Sequence, residues 1–127
     1  AAAIHDAGHP GVDNNFMIQQ EDDLARNFND QHVLEMHSLN LTLRVMHDNP
    51  EMNFLEGSHL SGKSNWLMFK SAVTKIVLAT DMGQHFELVA KFGTTLADLR
   101  PDHEDYEKRV NTHLHLVLQM AMKVADP

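Results

Sequence analysis

The sequence predicts an all-α fold, a partial multi-helix unit rather than a sheet or mixed architecture. Apolar residues recur at intervals of three and four through several long stretches, as a helix face requires. No alternating run lasts long enough for a strand; His113 to Val117 alternates only briefly, inside a longer helical stripe. The periodic stretches are also punctuated by Pro10-Gly11, Asn49-Pro50 and Pro101-Asp102, which stop helices and turn the chain.

Taken in order, residues 1–9 predict the end of a buried helix, stopped at Pro10 and Gly11. Residues 11–18 read as a loop or short helical turn, and Glu21 to Asn27 as one short helix around Leu24. Asp30 is the expected N-cap of a helix over 31–47. There Val33, Leu34, Leu41 and Val45 share a face, and Met36, Leu39, Leu43 and Met46 fill a second, so the helix should be buried on most sides. A short helix over 51–56 follows, then a polar loop from Ser58 to Ser64. Trp66, Phe69, Val73, Ile76, Val77 and Thr80 give a long helix over 64–80, broken at Asp81-Met82-Gly83. Phe86, Val89 and Phe92 mark the core face of a helix over 84–92. Pro101 and Asp102 introduce one last helix, with Val110, Leu114, Val117, Leu118, Ala121, Met122 and Ala125 as its stripe.

The length, 127 residues, suits one modest domain. Both ends are expected to be cuts in a longer chain, because the sequence opens inside the apolar run Ala1 to Ile4 and closes at Asp126-Pro127 without a tail. No apolar stretch is long enough to span a membrane, and no signal peptide is indicated. Cysteine is absent, which removes disulfides and thiolate zinc sites and fits a reducing compartment. A net charge of −8 without a basic patch argues against a nucleic-acid partner. Ten histidines leave imidazole and carboxylate as the groups for metal or proton chemistry.

One segment concentrates that chemistry: His5-Asp6-Ala7-Gly8-His9-Pro10-Gly11-Val12-Asp13-Asn14-Asn15-Phe16. A carboxylate at the end of an apolar run must be paired or metal-bound if buried. His5 and His9 share a face if the helix persists. A lone His-Asp pair is more often a solvated helix end. Here the whole run resembles the metal-binding motif of class I cyclic-nucleotide phosphodiesterases, His-Asp-x-x-His-x-Gly-x-x-Asn-x-Phe, at every fixed position. The likeness continues through Phe28-Asn29-Asp30 with Val33-Leu34-Glu35, through Val77-Leu78-Ala79-Thr80-Asp81-Met82, and to Val124-Ala125-Asp126. The chain departs from the pattern at Met36-His37-Ser38, where the family usually has Asn-His-His, and at Lys123, where a His is common. Both changes bear on hydrogen bonds around the metals rather than on the ligands themselves.

The resemblance implies that residues 1–127 are part of a phosphodiesterase catalytic domain, truncated at both ends. It implies two divalent metals, zinc and magnesium or manganese, with His5 as a zinc ligand, Asp6 bridging both ions and Asp126 as the remaining zinc carboxylate. The implied reaction is hydrolysis of cyclic AMP or cyclic GMP to the 5′-monophosphate by a metal-activated hydroxide. His9, Glu35 and Thr80 match positions that orient water or contact phosphate; alone, Glu35 reads equally as a structural ion pair and Thr80 as a hydroxyl bonding its own helix. Asn14 suits loop-holding as well as ligand contact.

The family's upstream His-Asn-x-x-His, which supplies the general acid, and its downstream purine-gripping glutamine lie outside the sequence, so the isolated chain is expected to be inactive. A small-molecule cyclic nucleotide, an intracellular, cytoplasmic setting and a homodimer of the parent complete the expectation. Asp81 reads as a cap, with Met82 near the pocket, and His32, His47, His59 and His103 as solvated. His113 and His115 diverge on a helix, and Met36, Met46, Met68, Met120 and Met122 read as core filling. Two alternatives stand beside this reading. One is another metal-dependent phosphohydrolase of the wider His-Asp helical superfamily. The other is a non-catalytic phosphodiesterase-like module for binding or dimerisation.

Overall fold

The computed structural model describes residues 1–97, 99–102 and 104–126; the expectation for His103 lies outside them. Among the described residues the regular structure is helical throughout, with no strand. Two short helices come first, α1 (Asn14–Gln19) and α2 (Asp23–Asn27). Each begins at an aspartate that takes an orphan amide: Asp13 accepts from the Phe16 N–H at 2.7 Å, and Asp22 from the Leu24 N–H at 2.8 Å. Helices of six and five residues have no stability alone; packing holds them. Met17 and Ala25 are buried against Val33 and Leu34 at the start of α3 (Val33–Asp48).

The expected cap of α3 is displaced. Asn29, Asp30 and His32 all take positive φ, and His32, not Asp30, precedes the first turn without a side-chain cap bond. The reason is that the cap comes from another helix: Asn14 Oδ1 accepts from the Leu34 N–H at 2.9 Å. Asn, Asp and His tolerate the left-handed region best among residues bearing a Cβ, at a cost of about 1–2 kcal/mol each.

The helix expected over 51–56 shrinks to a 3₁₀ turn, Pro50–Met52, because Asn53 turns extended and its side chain accepts from the Leu55 N–H at 3.1 Å. Helix α4 (Lys63–Leu78) follows, then a second 3₁₀ turn, Met82–Gln84, and α5 (His85–Leu96). The single last helix divides into α6 (Tyr106–Thr112) and α7 (Leu114–Ala125) at His113. Just before the break, the Thr112 hydroxyl donates to the Lys108 carbonyl at 2.9 Å, a back-bond that bends helices. Residues 1–9 are successive turns rather than a buried helix: Ala7 N–H reaches Ile4 O, and His9 N–H reaches Asp6 O, each at 3.0 Å.

Helix α4 is the axis, with α3 and α7 packed on it and α5 packed on α7. The core is three small clusters. Met17, Ala25, Val33 and Leu34 form one; Leu39, Val73 and Val77 the second; Ala79, Leu88 and Leu116 the third. Several expected core positions are open instead. Leu41 and Val45 leave α3 buried on one side only, Met68 faces out, and α5 turns Leu88 inward rather than Phe86 or Val89. Phe86 is 85% exposed, so α5 carries an apolar face that the described residues do not cover.

Candidate functional site

One pocket of about 580 Å³ forms where the turns of residues 1–9, the start of α1, the entry to α3, the end of α4 and the end of α7 meet. His5, Asp6, His9, Asn14, Glu35, Thr80 and Asp126 all line it, although the sequence scatters them from one end to the other. His32, Asp81 and Met82 line it too.

The wall at the two chain ends is built on His5. Its Nδ1 is 2.9 Å from the Ala2 carbonyl, an acceptor, so the Nδ1 proton is spent there. Its Nε2 lies 3.2 Å from Asp6 Oδ2 and 3.3 Å from Asp126 Oδ1. A lone pair facing two carboxylates is repulsive; either a second proton or a cation must sit between them. Donors sharing one tetrahedral zinc at about 2.0–2.1 Å stand roughly 3.3 Å apart, so the spacing and the donor types suit such an ion. The set is open rather than closed. Among the described residues, no group of three or more His, Cys, Asp or Glu side chains is arranged so that it could hold a metal ion by itself.

The shape of that wall depends on close backbone approach. Gly8 has φ +74°, and a Cβ there would lie 2.6 Å from Leu41 Cδ1 and 3.0 Å from His37 Nε2. Ser38, fully buried, donates its hydroxyl to the Ala7 carbonyl at 2.9 Å, so one departure from the family pattern serves to dock residues 1–9 on α3. His9 Nδ1 accepts from the Gly11 N–H at 3.0 Å, which leaves the ring proton on Nε2.

The opposite wall satisfies itself. Asn14 donates Nδ2–H to Glu35 Oε2 at 2.9 Å while its Oδ1 holds the Leu34 amide. Asn14 therefore holds structure, and the carboxylate of Glu35 is steered by an amide rather than by an ion pair. The Thr80 hydroxyl donates to the Val77 carbonyl at 2.8 Å, the helix back-bond weighed for it above. His32, expected in solvent, lies with Nδ1 2.6 Å from Asp81 Oδ2, and both side chains are largely covered. Asp81 also caps its 3₁₀ turn as expected, accepting from the Gly83 N–H at 2.8 Å. Sequence reading missed the His32–Asp81 pair because 49 positions separate its members. The one local signal was a histidine standing where a helix cap belongs. His47 and His59 are exposed as expected, His47 beside Asp48.

A family model described as 3′5′-cyclic nucleotide phosphodiesterase matches residues 1–127. A human dual specificity calcium/calmodulin-dependent 3′,5′-cyclic nucleotide phosphodiesterase 1C is 40% identical over 115 residues, 91% of this chain and 16% of its own length. The 3′,5′-cyclic-nucleotide phosphodiesterase regA of Dictyostelium discoideum is 34% identical over 122 residues, 96% of this chain and 14% of its own. The chain thus spans about a sixth or less of these curated relatives. The crystal structure of the phosphodiesterase domain of a Salpingoeca rosetta rhodopsin phosphodiesterase superposes with a TM-score of 0.82 at 27% identity, covering 98% of this chain and 36% of that one.

Proposed function

The chain belongs to the 3′,5′-cyclic nucleotide phosphodiesterase family, and from that premise we propose that the whole protein hydrolyses a cyclic nucleoside monophosphate to its 5′-monophosphate. The observation that carries the reading is the meeting of Asp6 and Asp126 at His5 Nε2, two carboxylates from opposite ends of the sequence on one imidazole edge. His5, Asp6 and Asp126 would hold a zinc ion, and Asp6, the most open of the three, would also reach a magnesium or manganese ion beside it. Bound divalent ions supply charge neutralisation at the phosphoryl group and make the hydrolytic water more acidic.

The chain's own residues do the remaining work on this wall and the one facing it. Glu35, held at Oε2 by Asn14, has Oε1 left to orient water or take a proton. His9 presents an Nε2 proton suited to a phosphate oxygen. Thr80, its proton spent on Val77, offers oxygen lone pairs only. The substrate is a small cyclic nucleotide. No helix among the described residues is long and apolar enough to cross a membrane.

The test is turnover of cyclic AMP and cyclic GMP by the whole protein, before and after chelation, with zinc and magnesium or manganese returned. Chelation should abolish hydrolysis and metal should restore it. His5→Ala and Asp126→Asn should each lower turnover by more than about 100-fold, beyond the usual effect of groups that only support a ligand. Hydrolysis indifferent to both chelator and substitution would overturn the reading.

A further inference from the structure

The His32–Asp81 pair is not used by the reading above, and its geometry is unusually complete. Asp81 only accepts, so His32 Nδ1 carries the proton across the 2.6 Å bond. That leaves Nε2 as an acceptor, and Gln84 Nε2 stands 3.2 Å from it, a donor of the right polarity. The second Asp81 oxygen holds the Gly83 N–H. Each group in the chain Gln84–His32–Asp81–Gly83 thus has a matched partner, and the chain ties the entry of α3 to the end of α4 and the 3₁₀ turn after it.

The positions of the tied residues give it a consequence. His32 precedes Glu35 by three residues, at the base of the helical turn that carries the carboxylate; Asp81 directly follows Thr80. Glu35 and Thr80 line the same pocket from different helices. His32 adopts φ +45° at the entry of α3, where Asn14 rather than His32 holds the Leu34 amide, so its ring is free to make this bond. We propose that His32 and Asp81 are a positioning pair that fixes the spacing of Glu35 and Thr80 across the pocket, and so aligns the substrate phosphate for attack without touching it. This rests on the phosphodiesterase reading for the identity of the substrate.

The test is steady-state kinetics on the whole protein with His32→Ala, His32→Asn and Asp81→Asn. Misalignment acts on the chemical step, so His32→Ala should lower kcat by about 10- to 100-fold while KM stays within about threefold. His32→Asn keeps an N–H donor for the carboxylate and should recover part of the loss. Asp81 also caps its turn, so His32→Ala, which spares that cap, is the deciding variant if Asp81→Asn fails to fold. A kcat within about twofold of wild type, or a change confined to KM, overturns the positioning role and leaves the phosphodiesterase reading intact. If the unaltered protein turns over no cyclic nucleotide, that reading fails, and the pair is judged by NMR. His32→Ala should then move the backbone amides of both Glu35 and Thr80, and shifts confined to the neighbours of residue 32 overturn it.

Discussion

The two walls of the pocket are opposites in electrostatic finish. On the wall made by the chain ends, Asp6 and Asp126 converge on an imidazole edge whose other nitrogen is already committed. On the facing wall Asn14, Glu35, His32 and Asp81 are donors and acceptors matched one to one. The first wall gathers two carboxylates with, among the described residues, no cationic side chain beyond His5 facing them, which is what the proposed cation would answer. The second is mostly paired within itself, with Glu35 Oε1 left over, and serves to hold geometry. If the proposed binding and alignment are divided between these regions, substitutions should separate them.

Gly8→Ala strikes the open wall hardest. Left-handed backbone should cost about 1–2 kcal/mol, and the new Cβ, 2.6 Å from Leu41 Cδ1 and 3.0 Å from His37 Nε2, must also displace those side-chain ends. Residues 1–9 would then shift off α3, and calorimetric titration should find zinc affinity lost along with stability. Retained zinc affinity would break the division at this wall. Asn14→Ala, on the closed wall, strips the partner from the Leu34 amide and from one Glu35 oxygen, at about 1–3 kcal/mol in a denaturant midpoint. It should lower kcat and leave zinc affinity unchanged; a parallel loss of both would merge the two walls into one unit.

Arg44→Ala touches neither wall and should change nothing measurable in turnover or melting at neutral pH, since its 3.5 Å pair with Asp48 is exposed. The hydrogen bond from His47, then the His47 charge and that of Arg44, hold the Asp48 carboxyl below its ordinary range. Any contribution is thus present above that range and fades as pH falls through the lowered value. A clear melting difference at pH 7 would show that this exposed pair contributes more to stability than its geometry allows.

Much of the helical content was legible because apolar spacing is local. The spans expected for α3, α4 and α5 match to within a few residues. Burial was less legible, since which stripe faces inward depends on neighbours distant in sequence. Phe86 and Leu88 are equally apolar, yet only Leu88 meets α7. Capping failed in the same manner: Asp30 has the right chemistry, but Asn14 arrives first from α1. The residues proposed for the site were picked out by an ordered run of motifs, and the fold brings two of them, His5 and Asp126, within 3.3 Å. The His32–Asp81 bond had no motif, and only tertiary structure pairs it.

The division of the core into three clusters reaches beyond packing. Among the described residues the buried apolar side chains do not join into one mass, an arrangement in which local opening costs less than global unfolding. The pocket borrows a rim from each: Ile18 and Leu34 beside the first, the turns around Ile4 beside the second, Thr80 next to Ala79 of the third. A ligand that bridges these rims would therefore tie the three clusters to one another.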